Sequence, residues 1–154
     1  MGISLPTAID AGIRVVQLRF GVVLSPEGGA LKEMRLPFSL GLGGRIGNGA
    51  QWMSWIALPD AIGVIDHALN DEKFSGPVNV VAGAVTNADF TKALGQALRR
   101  PTWFPLPAFV ARLAFGEMAE ATLLASTRVE PKKLHASGFE FQHADLPAAL
   151  TAML

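Results

Sequence analysis

The run Arg14-Val-Val-Gln-Leu-Arg-Phe-Gly-Val-Val-Leu24 is β-branched, almost continuously apolar, and stops at Ser25-Pro26-Glu27-Gly28-Gly29. A strand covered on both faces of a parallel sheet reads this way, whereas a strand with one wet face alternates. Such a strand needs helices above and below it, and the following residues supply them in alternation with further strands. Ala30–Arg35 suits a short helix that Pro37 discourages from continuing. Gln51-Trp-Met-Ser-Trp-Ile56 reads as a strand with Gln51, Met53 and Trp55 on one face and Trp52, Ser54 and Ile56 on the other. A helix from about Leu58 to Leu69 carries Ile62, Ile65 and Leu69 at helical spacing, with Asp60 in a first turn that favours an acid. Gly76-Pro77 introduces a short strand, Val78–Ala82. Thr86-Asn87-Ala88-Asp89 has the form of a capping box and opens a helix whose Phe90, Leu94 and Leu98 share a face, ended by Arg99-Arg100-Pro101.

Beyond residue 98 the alternation stops. Pro105–Phe115 and Glu117–Ser126 read as two helices separated near Gly116, with Leu106, Val110 and Leu113 as an apolar face. Pro131–Ala136 suits a short helix that Gly138 terminates. Phe139-Glu140-Phe141 alternates like a brief strand, and Asp145 caps a last helix through Met153. The first nine residues are unpatterned. The expectation is an α/β chain: a partial parallel sheet of about three strands with helices over residues 1–98, then a mostly helical tail over 99–154. So few strands leave edges and faces uncovered, so the chain reads as part of a larger fold.

Counts of residue types narrow the chemistry. Half of the 154 residues are hydrophobic, enough for a sizeable core, and 13 basic residues cancel 13 acidic ones. A zero balance gives no electrostatic reason to expect nucleic acid or an anionic membrane as partner. There is no cysteine, which excludes disulfides, thiolate metal sites and a cysteine nucleophile within these residues and is compatible with a reducing compartment. No apolar run approaches a membrane span, and a cytoplasmic location is the default expectation. There is also no tyrosine, beside nine phenylalanines and three tryptophans. A phenolic acid or base is therefore excluded within this chain.

Several stretches, taken jointly, identify a resemblance. They are Arg14–Leu24 followed by Gly28-Gly29-Ala30-Leu31, Gly49-Ala-Gln-Trp-Met-Ser-Trp-Ile56 with Asp60, and Gly76-Pro-Val-Asn-Val80 with Thr86-Asn87 and Phe90. The tail adds Arg100-Pro101, Gly116-Glu117-Met118, Pro131-Lys132-Lys133-Leu134 and Gly138-Phe139. In this order they resemble the C-terminal half of the epimerase-like branch of the extended short-chain dehydrogenase/reductases, with its small C-terminal domain of unknown function.

The resemblance implies a partial Rossmann-like sheet and an NAD- or NADP-dependent enzyme of the epimerase or dehydratase type, acting on an unknown small molecule. In that family the N-terminal half supplies the glycine-rich phosphate loop and a Tyr-x-x-x-Lys pair, and this chain has neither. No cofactor is thus expected on this chain alone. By position, Gly21, Val22 and Val23, with Arg19 just before them, correspond to the strand end near the nicotinamide, where ligands sit in open α/β sheets. Arg19, Gln51, Trp52, Ser54 and Trp55 are implied as substrate-side residues, with Arg128 as an anion contact. A homodimer or strand-swapped assembly through the open sheet edge is the alternative to an enzyme half.

Each of these residues also has a plainer reading. Trp52 and Trp55 suit core or interface aromatics, Arg19 a guanidinium paired with a structural carboxylate or carbonyl, and Arg128 and Lys132-Lys133 solvated charges. Gly41-x-Gly43 fails as a dinucleotide fingerprint, since Ile46 stands where the third glycine belongs and a strand follows. The five glycines between residues 41 and 50 mark a turn or substrate-side flap instead. His67, His135 and His143 have no metal-ligand spacing, and Ser25 and Ser54 no nucleophile-elbow context.

Overall fold

The computed structural model describes residues 5–107, 126 and 128–154. The apolar run that opens the α/β region is divided into β1 (Val16–Phe20) and β2 (Val22–Leu24), which belong to different sheets. β1 pairs in parallel with β4 (Gly76–Val80), Val16 opposite Gly76 and Arg19 opposite Asn79. β2 pairs in parallel with β3 (Trp52–Ala57), which pairs antiparallel with β5 (Gly83–Thr86). The architecture is α/β with parallel strands, as expected, and β5 is an addition that its four residues did not announce.

Gly21 is the crossing point. Its N–H donates to the Val80 carbonyl at 3.1 Å, and a Cβ there would stand 2.6 Å from the Ser54 carbonyl oxygen and 2.8 Å from Val81 Cγ1. One continuous run can serve both sheets only because nothing projects from it at this point. β1 is not covered on both faces as its sequence suggests. Its second edge has no strand partner among the described residues, and Arg19 and Phe20 are exposed.

Two cores lie on opposite sides of the β2–β3 pair. Val22, Leu24, Met53 and Trp55 face the first, with α2 (Gly29–Ser39), α4 (Asn87–Ala97) and α6 (Leu146–Met153). Val23 and Ile56 face the second, with α3 (Leu58–Asn70) and α5 (Lys132–Ala136). The alternation of Met53 and Trp55 against Ile56 is the period-two pattern read from the sequence. The N-cap half of the capping box is present: Thr86 Oγ1 accepts from Asp89 N at 3.2 Å, while the Asp89 side chain accepts from the Thr86 hydroxyl at 2.7 Å and not from its backbone N–H. Phe90 and Leu94 are buried behind it. Asp145 caps α6 through Ala148 N, and Gly138, at a φ of 77°, ends α5.

Other expectations are corrected. α2 runs through Pro37 to Ser39, because a proline in the last turn leaves only one nearby carbonyl without its amide partner. The unpatterned start contains a short helix, α1 (Leu5–Asp10), none of whose residues is buried. Phe139–Phe141 forms no strand; the two rings meet edge to face at 5.1 Å and pack on the second core. The largest correction concerns α3. It buries Asp60, Ala61, Val64 and Ala68, while Ile62 and Leu69 are 58% and 71% exposed. Small residues let the helix lie close to the strands, and the bulky stripe faces outward.

Leu106 is not helical but makes a parallel bridge with Ile46. The remainder of the two helices expected over 105–126, with Val110 and Leu113, lies outside the described residues apart from Ser126. No helix among the described residues is long and apolar enough to cross a membrane.

The crossing at Gly21 yields a direct test. Gly21→Ala is expected to lower unfolding stability by about 1–3 kcal/mol through overpacking against the Ser54 carbonyl, measured by urea unfolding with the slope unchanged.

Candidate functional site

The strand ends around Gly21 bring together several of the residues singled out from the sequence. β1 and β4 both end here, at Phe20 and Val80, and the first half of β3 passes alongside. Ser126 and the chain from Arg128 onward return to this place. Trp52 N donates to Ser126 Oγ at 3.1 Å, and Val129 N donates to Ser54 Oγ at 3.0 Å. Between these two tethers the Arg128 guanidinium lies over the Trp52 ring, 4.5 Å from its centroid. The ring face attracts the cation while leaving its N–H groups free for a ligand.

Beside Arg128 opens a cleft of about 680 Å³, lined by Asn79, Arg128, Val129, Glu130 and Lys132. Its position, outside the carboxyl end of parallel β4, is where open α/β sheets receive ligands. Arg128 and Lys132 are cationic against the single carboxylate of Glu130, 3.7 Å from Lys132 Nζ. An anion with planar oxygens suits such a wall better than a cation.

A buried carboxylate fixes the tail further along. Asp60, 1% exposed in the first turn of α3, accepts from Gln142 N at 2.8 Å and from His143 N at 2.9 Å. His143 Nδ1 stands 3.3 Å from Asp60 Oδ2 without hydrogen-bond geometry. The sequence marked Asp60 only as a first-turn acid. Its partners lie 82 and 83 residues away, a separation that local pattern does not reveal. Lys133, read as a wet surface charge, donates to the Ser75 carbonyl at 3.0 Å and ties α5 to the start of β4.

The remaining candidates fall into two groups. Trp52, Ser54 and Arg128 are brought together, and Arg19 lies one strand away, opposite Asn79, exposed, its side chain without a hydrogen bond or ion pair among the described residues. Trp55 and Gln51 do not line the cleft. Trp55 is 1% exposed in the first core. Gln51 Nε2 donates to the Ile46 carbonyl, and Gln51 O accepts from Asn87 N, so its role is to close the glycine loop. Gly21 is filled by protein on its Cα side, and Val22 and Val23 are half-buried against the two cores.

Comparison with known proteins agrees with this architecture. A family model described as a domain of unknown function, DUF1731, matches residues 106–153. An epimerase family protein of Mycobacterium bovis is 49% identical over 144 residues, covering 93% of this chain and 48% of the relative. The human epimerase family protein SDR39U1, solved with NADPH, superposes with a TM-score of 0.84 at 41% identity, over 92% of this chain and 48% of that one. A nucleoside-diphosphate sugar epimerase from Corynebacterium glutamicum gives a TM-score of 0.74 at 35% identity, over 97% of this chain and 28% of the other.

Fold and site thus define an α/β chain of the Rossmann-like epimerase class. More narrowly, it is similar to the epimerase family proteins of the short-chain dehydrogenase/reductase class. It spans about half the length of the curated relatives it matches.

The stack that presents Arg128 is open to measurement. A double-mutant cycle of Trp52→Ala and Arg128→Ala is expected to return a coupling of about 0.5–1 kcal/mol by chemical unfolding. Strict additivity would remove the stack as the device that holds Arg128.

Proposed function

We propose that this chain forms the substrate-side half of an NAD(P)-dependent, sugar-nucleotide-epimerase-like oxidoreductase and does not complete the reaction with its own residues. The observation that carries this reading is the tethered wall: Arg128, stacked on Trp52 and held at Val129 by Ser54, faces a cleft at the carboxyl end of β4. A guanidinium with free N–H groups beside a lysine suits a phosphate or diphosphate group. Arg128 and Lys132 would bind that anion, and Asn79 would orient it.

Two features support assigning cofactor and catalysis to residues outside this chain. There is no tyrosine to act as acid or base, and no Gly-x-Gly-x-x-Gly fingerprint for a pyrophosphate. The nicotinamide, NAD or NADP, would supply hydride transfer in the longer protein. Gly21–Val23 would lie beside it at the strand end.

The exposed apolar surface is consistent with a missing half. Leu5, Ile9, Ile13, Phe20, Ile62, Ile65 and Leu69 are all exposed on α1, β1 and α3 or just beside them, and β1 has one edge without a strand partner among the described residues. The same surface favours the alternative reading, a non-catalytic module that pairs with a second copy of itself.

One pair of measurements separates these readings. Titration with NADPH, followed by nicotinamide fluorescence, is expected to show no saturable binding to this chain, and light scattering a concentration-dependent self-association no stronger than tens of micromolar (~7 kcal/mol). Saturable NADPH binding at low micromolar concentration would overturn the assignment of the cofactor site to other residues. A stable, tight dimer would favour the stand-alone module.

A further inference from the structure

Thirteen basic and thirteen acidic residues cancel over the whole chain, but they are not evenly spread. No aspartate or glutamate occurs between Glu33 and Asp60, or between Asp89 and Glu117. The fold lays these two acid-free stretches side by side. Ile46 bridges Leu106, Leu106 N donates to the Arg45 carbonyl at 2.8 Å, and Gly47 N donates to the Leu106 carbonyl at 3.0 Å. A Cβ on Gly44 would run into the Phe104 carbonyl. A neutral chain thereby acquires a local cationic surface, with Arg35, Arg45, Arg99 and Arg100 exposed and outside any ion pair among the described residues.

The same surface carries large apolar side chains turned to solvent. Trp103 and Phe104 are 83% and 75% exposed on a segment stiffened by Pro101, Pro105 and Pro107, and Leu36, Leu40 and Leu42 are exposed on the end of α2 and the turn after it. Leu36 and Leu40 are four residues apart and share a helix face. The hollow beneath, about 30 Å³ and lined in part by Phe38, Leu42 and Leu106, has room for one water and not for a side chain from a partner. A protruding aromatic pair without a receiving groove suits a soft, planar acceptor better than a peptide anchor. Tryptophan and arginine together are the residues that settle at a headgroup boundary.

We propose that this face, built from Trp103, Phe104 and the exposed leucines and ringed by Arg35, Arg45, Arg99 and Arg100, docks on an anionic lipid surface. Apolar side chains enter the headgroup layer while the guanidinium groups pair with lipid phosphates and carboxylates. Glu33 and Lys32 flank Leu36 on α2 and offset each other in charge. The inference does not depend on the enzyme reading, since Asn79 and Arg128 take no part in it.

The test is flotation of the 154-residue chain with phosphatidylcholine vesicles, with and without phosphatidylserine. Binding is expected only with the anionic lipid, weakened about tenfold or more by Arg45→Gln/Arg100→Gln. Brominated lipid is expected to quench a fluorescence component that Trp103→Phe removes, Trp55 being buried. Leu69→Ala, an equally exposed leucine on α3, serves as the control and is expected to leave binding unchanged. The proposal is overturned by equal binding to neutral vesicles, by equal loss in Leu69→Ala, or by no binding. It is also overturned by a dimer that Trp103→Ala abolishes in the absence of vesicle binding, which would assign the face to a second copy.

Discussion

The close approach of two backbones at Gly21 is the constraint on which the rest of this structure depends. The Ser54 carbonyl and the Val81 side chain occupy the space where a Cβ would stand. The chain can therefore leave the β1–β4 ladder and enter the β2–β3 ladder without a loop. That economy places the ends of β1 and β4 against the first half of β3, and the tail residues that reach β3 necessarily arrive at the same spot. Site geometry and sheet geometry are consequences of one contact.

The tail is held there by polar tethers as much as by apolar packing. Ser54 is buried and accepts the Val129 amide, and Asp60 is buried and accepts two consecutive amides of the segment between α5 and α6. A buried carboxylate is costly unless its oxygens are satisfied, and here each has a backbone donor. Charge-assisted bonds of this kind are stronger than neutral ones, so Asp60 fixes the path of the tail where hydrophobic contact alone would allow sliding. Arg128 gains its position indirectly, from Ser54 on one side and the Trp52 ring on the other.

Much of this was legible in the sequence where the cause is local. The caps at Thr86 and Asp145, the stop at Gly138 and the two faces of β3 depend on residues within a few positions of one another. What was not legible depends on partners far along the chain. The periodic stripe Ile62, Ile65, Leu69 looked like the buried face of α3, yet the smaller residues Ala61, Val64 and Ala68 pack inward, because closeness to the sheet and not side-chain size decides the face. Trp55 and Gln51 were read as cavity residues through resemblance, and their neighbours make them core and loop supports. The split of Arg14–Leu24 between two sheets was hidden in a single glycine.

The described residues build a tethered wall of Trp52, Ser54 and Arg128, and the chain holds no phenol. The tail is pinned to β3 through Ser54, and hydrogen exchange of the Val129 amide tests this most directly. Slow exchange is expected, comparable to the amides of β3, falling to near the unprotected rate in Ser54→Ala while β3 itself stays protected. Rapid exchange at Val129 in the unaltered chain would contradict the pinned wall, and with it the position of Arg128 beside the cleft.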